Sequence, residues 1–138
     1  MSAESLARRP WWRRWFGNRS ERAAARFLRR QGYRIVARNE RSLQGELDLV
    51  ALDRGQVVFV EVRSTGTADL TRTAASVDLA KQRRLTDLAV HFLQLHGLLD
   101  HPARFDVLLL SWPAERKEPV ICHHRDAFEA VGRFQMYR

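Results

Sequence analysis

The sequence predicts an α/β fold in which a mixed β-sheet is flanked by helices. Two strand-like runs, residues 45–52 and 56–63, are apolar at nearly every position outside their acidic residues, and a short turn containing Gly55 separates them. Such runs indicate a β-hairpin that is covered on both faces and therefore central in its sheet. One helical pattern precedes the hairpin and a longer one follows it, so each can supply a covering layer.

The first helix is predicted at residues 20–31, where alanines, Phe27 and Leu28 recur at helical spacing and Gly32 follows as a C-cap. Residues 33–39 then read as the first strand. Residues 1–17 form a basic, Trp-rich arm. We expect this arm to stack on nucleic-acid bases, to lie at a membrane surface, or to patch an exposed edge of the domain.

The second helix is predicted from a cap at Ser76 to about residue 96, with Asp78 in its first turn. Lys81 is the one charge on an apolar stripe formed by Val77, Leu85, Leu88 and Phe92. Residues 65–75 before this helix are polar and predict a mobile loop beside the site. After it we predict a strand at 103–112, an edge strand at 120–124 and a short terminal helix at 126–131.

The register of the hairpin decides which side chains meet. A loop of residues 54 and 55 alone places Asp48 opposite Glu61 on one face, with Arg63 on the face of Glu61, whereas a three-residue loop sends the two acids to opposite faces. We favour the shorter loop because it alone lets these groups converge. Carboxylates inside apolar strands are normally neutralised or bound, and a divalent cation can hold two of them. The sequence therefore predicts a Mg²⁺ or Mn²⁺ site at Asp48 and Glu61.

These residues also carry a resemblance to a known family. Glu46-Leu47-Asp48 with Val60-Glu61-Val62-Arg63 resembles the D-x(n)-E-x-K core of the restriction-endonuclease-like superfamily, and more narrowly its YraN-like family of small bacterial proteins. The resemblance implies a restriction-endonuclease-like mixed sheet and metal-dependent cleavage of phosphodiester bonds. It covers roughly residues 17–112 and includes the further motifs Gly17-Asn18-Arg19-Ser20-Glu21, Gln31-Gly32-Tyr33, Ala37-Arg38-Asn39, Lys81 and Arg104-Phe105-Asp106-Val107.

The resemblance adds one site residue and shows two departures. It implies that Glu21, in the first helix, reaches the metal site. Ser20 stands where the family has glycine, a mild change because serine is a good N-cap. Arg63 stands where the family has lysine, and arginine stays charged and cannot act as a base. Lys81 either extends from its helix into solvent or points at the carboxylates and supplies the missing ammonium.

Composition favours a polyanionic partner. The 138 residues suit one domain, at 18–138, and carry a net charge of +8 with a pI near 11.1. Lys81 and Lys117 are the only lysines, a bias that a high-GC genome would equally produce. The expected partner is nucleic acid, with DNA favoured over RNA. Cys122 is the single cysteine and no apolar run has the length of a membrane span, so a cytoplasmic protein is expected.

Three functions remain open at this point. In the first, Asp48, Glu61, Arg63, Lys81 and Glu21 form the catalytic site of a metal-dependent nuclease. In the second, the fold and basic surface bind nucleic acid without hydrolysing it. In the third, the acids form a salt-bridge cluster with arginines at 41 and 63 in a protein-interaction domain. The oligomeric state is equally open, and the arginine at 104 and aspartate at 106 are expected to form a structural ion pair.

Overall fold

In the residues that the structure describes, the fold is one five-stranded sheet with two helices. The computed structural model describes residues 19–43, 45–65, 77–115 and 117–131. The sheet order is β1–β2–β3–β4–β5, with β3 and β4 parallel and the other neighbours antiparallel. This confirms the predicted mixed sheet. The elements are α1 (Arg19–Arg30), β1 (Arg34–Ser42), β2 (Gly45–Asp53), β3 (Gln56–Thr65), α2 (Leu79–Leu95), β4 (Ala103–Ser111) and β5 (Val120–Phe128).

Two hydrophobic cores form, one on each face of the sheet, because strand side chains alternate. On β3, Val58 and Val60 belong to the core that includes α1, and Val57 and Phe59 belong to the core that includes α2. The central position predicted for the hairpin is therefore confirmed. Neither described helix has the length and apolar character to cross a membrane. The predicted arm at 1–17 and nearly all of the predicted loop at 65–75 lie outside the described residues.

The last strand differs from its prediction. It lies at the sheet edge as expected, but it continues to Phe128, and residues 129–131 are not helical, so the predicted helix at 126–131 is wrong. Phe128 stacks on Phe105 with ring centroids 4.7 Å apart. The backbone N–H of Asp126 donates to the carboxylate of Asp106 over 2.9 Å. These long-range contacts outweigh the local helical preference of the segment.

A buried polar cluster holds the turn end of the sheet together. Arg104 donates to Asp106 over 2.9 Å and to Asp53 over 3.0 Å, which confirms the predicted ion pair. His123 lies 2.8 Å from the fully buried Asp106 carboxylate. Burial would raise the pKa of Asp106, but the hydrogen bonds from His123, Arg104 and the N–H of Asp126 outweigh it and hold that pKa below its usual value.

Candidate functional site

The hairpin has the register that the short loop requires. Asp53 pairs with Gln56, and the loop residues Arg54 and Gly55 have φ of 52° and 84°. Two successive positive φ values are typical of a type I′ turn, whose twist matches that of the flanking strands. Pairing continues as far as residues 49 and 60, and the same register brings residue 48 level with residue 61.

Asp48 lies where the paired ladder of β2 and β3 ends. Its Oδ2 accepts a hydrogen bond of 2.9 Å from the backbone N–H of Val62. Leu47 belongs to the core on the α2 side, while Leu49 belongs to the core on the α1 side. Residues two apart in a regular strand share a face, so the alternation is broken around Asp48. The carboxylate can therefore interact with groups from both layers.

Three carboxylates converge at this point. One oxygen from each of Glu21, Glu46 and Asp48 lies within 4.8 Å of the others, the only such group of three metal-binding side chains among the described residues. The convergence of Glu21 with Asp48 agrees with the role that the resemblance implies. Glu46 was not predicted as a site residue. It also contacts the exposed guanidinium of Arg41 at 3.3 Å, which is one ion pair of the salt-bridge cluster that the third function requires.

Glu21 is positioned by the start of α1. The helix begins at Arg19, so Ser20 lies inside it and is not the N-cap that the sequence suggested. The Ser20 hydroxyl is hydrogen-bonded to the hydroxyl of Ser64 at the end of β3, and it accepts a 2.9 Å bond from Nε1 of Trp112. These bonds fix the first turn of α1 against the end of the central strand, next to the carboxylates.

Glu61 is buried, with 8% of its side chain exposed, and lies 3.1 Å from Nζ of Lys81. Lys81 therefore points at a carboxylate and not into solvent, which is the second of the two orientations considered from the sequence. The start of α2 explains its position: Asp78 is the N-cap and accepts a 2.8 Å bond from the N–H of Lys81. The predicted cap Ser76 lies outside the described residues, and Asp78 occupies the cap and not the first turn.

Glu61 is not one of the three converging carboxylates. Arg63 is partly buried on β3, level with Leu109 of β4, two residues beyond Glu61. The pair Asp48 and Glu61 remains a prediction as metal ligands. Their carboxylates are close enough that the charge of Glu61 acts on Asp48. The structure thus brings Glu21 together with Asp48, adds Glu46 to them and pairs Lys81 with Glu61, while the roles of the five predicted residues remain predictions.

The electrostatics of Asp48 are unusual for an aspartate. Burial and the nearby charge of Glu61 raise the pKa of Asp48 to about 7, and Glu21 adds to this effect. The hydrogen bond from Val62 and the ammonium of Lys81 oppose the shift but do not cancel it. An ionised Asp48 is therefore unfavourable in this site unless positive charge is added.

Comparison with known proteins gives a consistent set of relatives. A sequence profile of the uncharacterised protein family UPF0102 matches residues 20–110. The chain is 40% identical over 119 residues to a UPF0102 protein of Rhodopirellula baltica, covering 84% of this chain and 71% of the relative. It is 43% identical over 114 residues to one of Methylobacillus flagellatus, covering 83% and 96%. It is 42% identical over 118 residues to one of Myxococcus xanthus, covering 86% and 92%.

Proposed function

The chain belongs to the uncharacterised protein family UPF0102, a family of the PD-(D/E)xK type, and on this basis we propose that it is a metal-dependent nuclease hydrolysing phosphodiester bonds. The observation that carries the proposal is the convergence of Glu21, Glu46 and Asp48 within 4.8 Å. The proposed substrate is nucleic acid, which the net charge of +8 supports. Within that class we propose DNA in preference to RNA, and the charge does not distinguish the two.

The donor set fits a hard divalent cation. Mg²⁺ prefers oxygen ligands at about 2.0–2.1 Å and is usually held by one or two carboxylates together with substrate phosphates, and Mn²⁺ accepts the same ligands. Asp48 would be the central ligand, with Glu21 and Glu46 or Glu61 beside it. The raised pKa of Asp48 supports this assignment, because a cation would remove the repulsion that raises it. When bound, the ion supplies positive charge against the scissile phosphate and assists deprotonation of water.

The side chains around the carboxylates have distinct roles in this proposal. Lys81 supplies an ammonium that stabilises negative charge developing on the phosphate, and Glu61 positions it through the 3.1 Å ion pair. Arg63 stays protonated, so it holds a phosphate and does not act as a base. The ammonium that the family places on β3 is thus provided from α2.

A nucleic-acid-binding module with a disabled site is the alternative. Arg63, which replaces the usual lysine, is the observation that favours it. In that case Arg63 anchors a phosphate and no hydrolysis follows, although a pocket used only for phosphate has no evident need for several negative charges.

The proposal is tested by metal binding and cleavage with the same protein samples. Calorimetric titration with Mg²⁺ and with Mn²⁺ should show binding to the natural protein and none to Asp48→Asn. Cleavage of labelled duplex DNA, single-stranded DNA and RNA should require the metal and Asp48. Asp87→Asn, which changes an exposed aspartate of α2, is the matched control and should behave as the natural protein does.

Two outcomes would decide against the nuclease. If no DNA or RNA form is cleaved with either metal and Arg63→Lys restores cleavage, the natural protein is a binding module. If neither metal binds and Asp48→Asn changes nothing, the acids serve only the structure. Under the nuclease proposal, Arg63→Lys raises cleavage or leaves it unchanged.

A further inference from the structure

The outer surface of α1 is formed by arginine. The helix contains Arg19, Arg22, Arg26, Arg29 and Arg30, all five exposed, and its buried residues lie on the opposite side. The helix has a single acidic residue, in its first turn. We refer to these five side chains as the arginine face.

This arrangement is costly for an isolated helix. Arg22 and Arg26 are four residues apart, as are Arg26 and Arg30, and like charges at this spacing repel each other and destabilise a helix. Surface helices usually alternate acids with bases to avoid this repulsion. A face built from one charge therefore suits an anionic partner, which would offset the repulsion when it binds.

A sixth arginine extends the same surface inward. Arg38 of β1 has only 7% of its surface exposed. Burial lowers the pKa of Arg38 to about 10, and the nearby cations Arg29, Arg22 and Arg26 contribute to this lowering, against the opposing charge of Glu21. The guanidinium groups of α1 and β1 thus lie close enough to act on one another, and they concentrate positive charge beside the first turn of α1.

The arginine face begins at the acidic site. Glu21 belongs to the three converging carboxylates, so the first turn of α1 lies at that site. The other end of the helix leads to Tyr33, whose hydroxyl receives a 2.7 Å bond from Arg104 in the polar cluster near the hairpin turn. Twelve residues at about 1.5 Å each give a length of about 18 Å. That length corresponds to about five steps of duplex DNA at about 3.4 Å per step.

We propose that the arginine face of α1 binds the phosphate backbone that flanks the acidic site, so that the nucleic acid lies on the α1 side of the sheet. This rests on the proposed function and specifies the path of its substrate. Guanidinium groups suit phosphate oxygens because they can bind them bidentately. A lipid surface fits less well, because the apolar side of α1 packs into the core and leaves only the partly buried Phe27 near the surface of the helix.

The test removes three charges from the arginine face. In Arg22→Gln/Arg26→Gln/Arg29→Gln, the slope of log affinity against log salt for duplex DNA should decrease by about 3, near one for each phosphate that the variant no longer neutralises. Affinity at low salt should fall about tenfold or more. These exposed substitutions relieve repulsion within α1, so the variant should fold, and a thermal melt checks that it does.

The matched control removes the same charge elsewhere. Arg54→Gln/Arg83→Gln/Arg84→Gln changes exposed arginines of the hairpin turn and of α2. It should lower affinity and salt slope clearly less than the α1 variant does. Equal or larger decreases in this control would overturn the proposal, because net charge and not the α1 side would then determine binding.

Further measurements separate this proposal from the nuclease proposal. If the natural protein binds DNA through the arginine face but never cleaves it, the binding surface stands and the nuclease fails. If it cleaves DNA and the α1 variant binds and cleaves normally, the surface fails and the nuclease stands. Binding to phosphatidylserine vesicles in preference to DNA, abolished in the α1 variant, would show a lipid partner and refute the assignment to nucleic acid.

Discussion

Replacing Asp48 by asparagine should stabilise the metal-free protein at neutral and alkaline pH. The pKa of Asp48 is about 7 in the fold, against an ordinary value of 3.8. Between these values the folded protein holds a proton at Asp48 that the unfolded chain has lost, so stability falls as the pH rises. Asparagine stays neutral, and its side-chain oxygen can still accept the hydrogen bond from Val62 that Asp48 accepts now.

The expected magnitude follows from the interval between the two pKa values of Asp48. Each pH unit is worth about 1.4 kcal/mol, so the interval from 3.8 to about 7 corresponds to at most about 4 kcal/mol. Asp48 is partly exposed, and solvent screening reduces this figure, so we expect about 2 kcal/mol. For a domain of this size, that gain raises Tm by about 6–10 °C at pH 8.

The measurement is a series of thermal and urea unfolding curves from pH 3.5 to pH 8 in the presence of a chelator. The natural protein should lose stability between about pH 4 and pH 7, Asp48→Asn should lose much less, and the two should agree near pH 3.5. Asp87→Asn should follow the natural protein. Adding Mg²⁺ or Mn²⁺ at pH 8 should stabilise the natural protein but not Asp48→Asn. Parallel pH profiles for the natural protein and Asp48→Asn would refute the reasoning.

Two further predictions concern the charged pairs. Lys81→Ala should abolish metal-dependent cleavage while leaving DNA affinity nearly unchanged, because one partly exposed charge contributes little to a distributed electrostatic surface. Single-turnover cleavage and a binding titration measure the two effects. Equal decreases in both would contradict the role given to Lys81. Asp106→Asn should destabilise the protein by about 3–5 kcal/mol at neutral pH, because it leaves Arg104 short of a buried partner. Since the pKa of Asp106 is lowered, this contribution should be present above about pH 4 and should disappear as the pH falls through the folded pKa, which urea unfolding at several pH values can measure.

The central hairpin could be predicted from the sequence because its signals are local. Alternation with period two and a Gly-containing turn leave only two registers, and the requirement that Asp48 and Glu61 converge selects one of them. The orientation of Lys81 could also be predicted, since a charged side chain on an apolar helical stripe must reach either solvent or an opposite charge. Which of the two predicted carboxylates it pairs with could not be identified, because helix spacing does not determine where the end of the side chain lies.

The features that were missed depend on tertiary structure. Glu46 is two residues from Asp48, but the strand alternation is broken there and its neighbour in space, Glu21, comes from another element. Serine is a common helix N-cap, yet the hydroxyl of Ser20 is hydrogen-bonded to residues 64 and 112. The segment at 126–131 has helix-forming residues, and only its contacts with β4 show that part of it belongs to β5.

The order in which the strands can pair has a consequence for how the site is assembled during folding. β2 and β3 are joined by a two-residue turn, whereas β3 and β4 are parallel and are joined by a long connection that includes α2. Hairpins form in about 1–10 μs, and pairings of large sequence separation are slower because loop-closure entropy is lost first. We therefore expect the hairpin to bring Asp48 and Glu61 together before α2 packs on the sheet and places Lys81 beside Glu61. During that interval, like charges meet on the nascent hairpin without the ammonium that later offsets them.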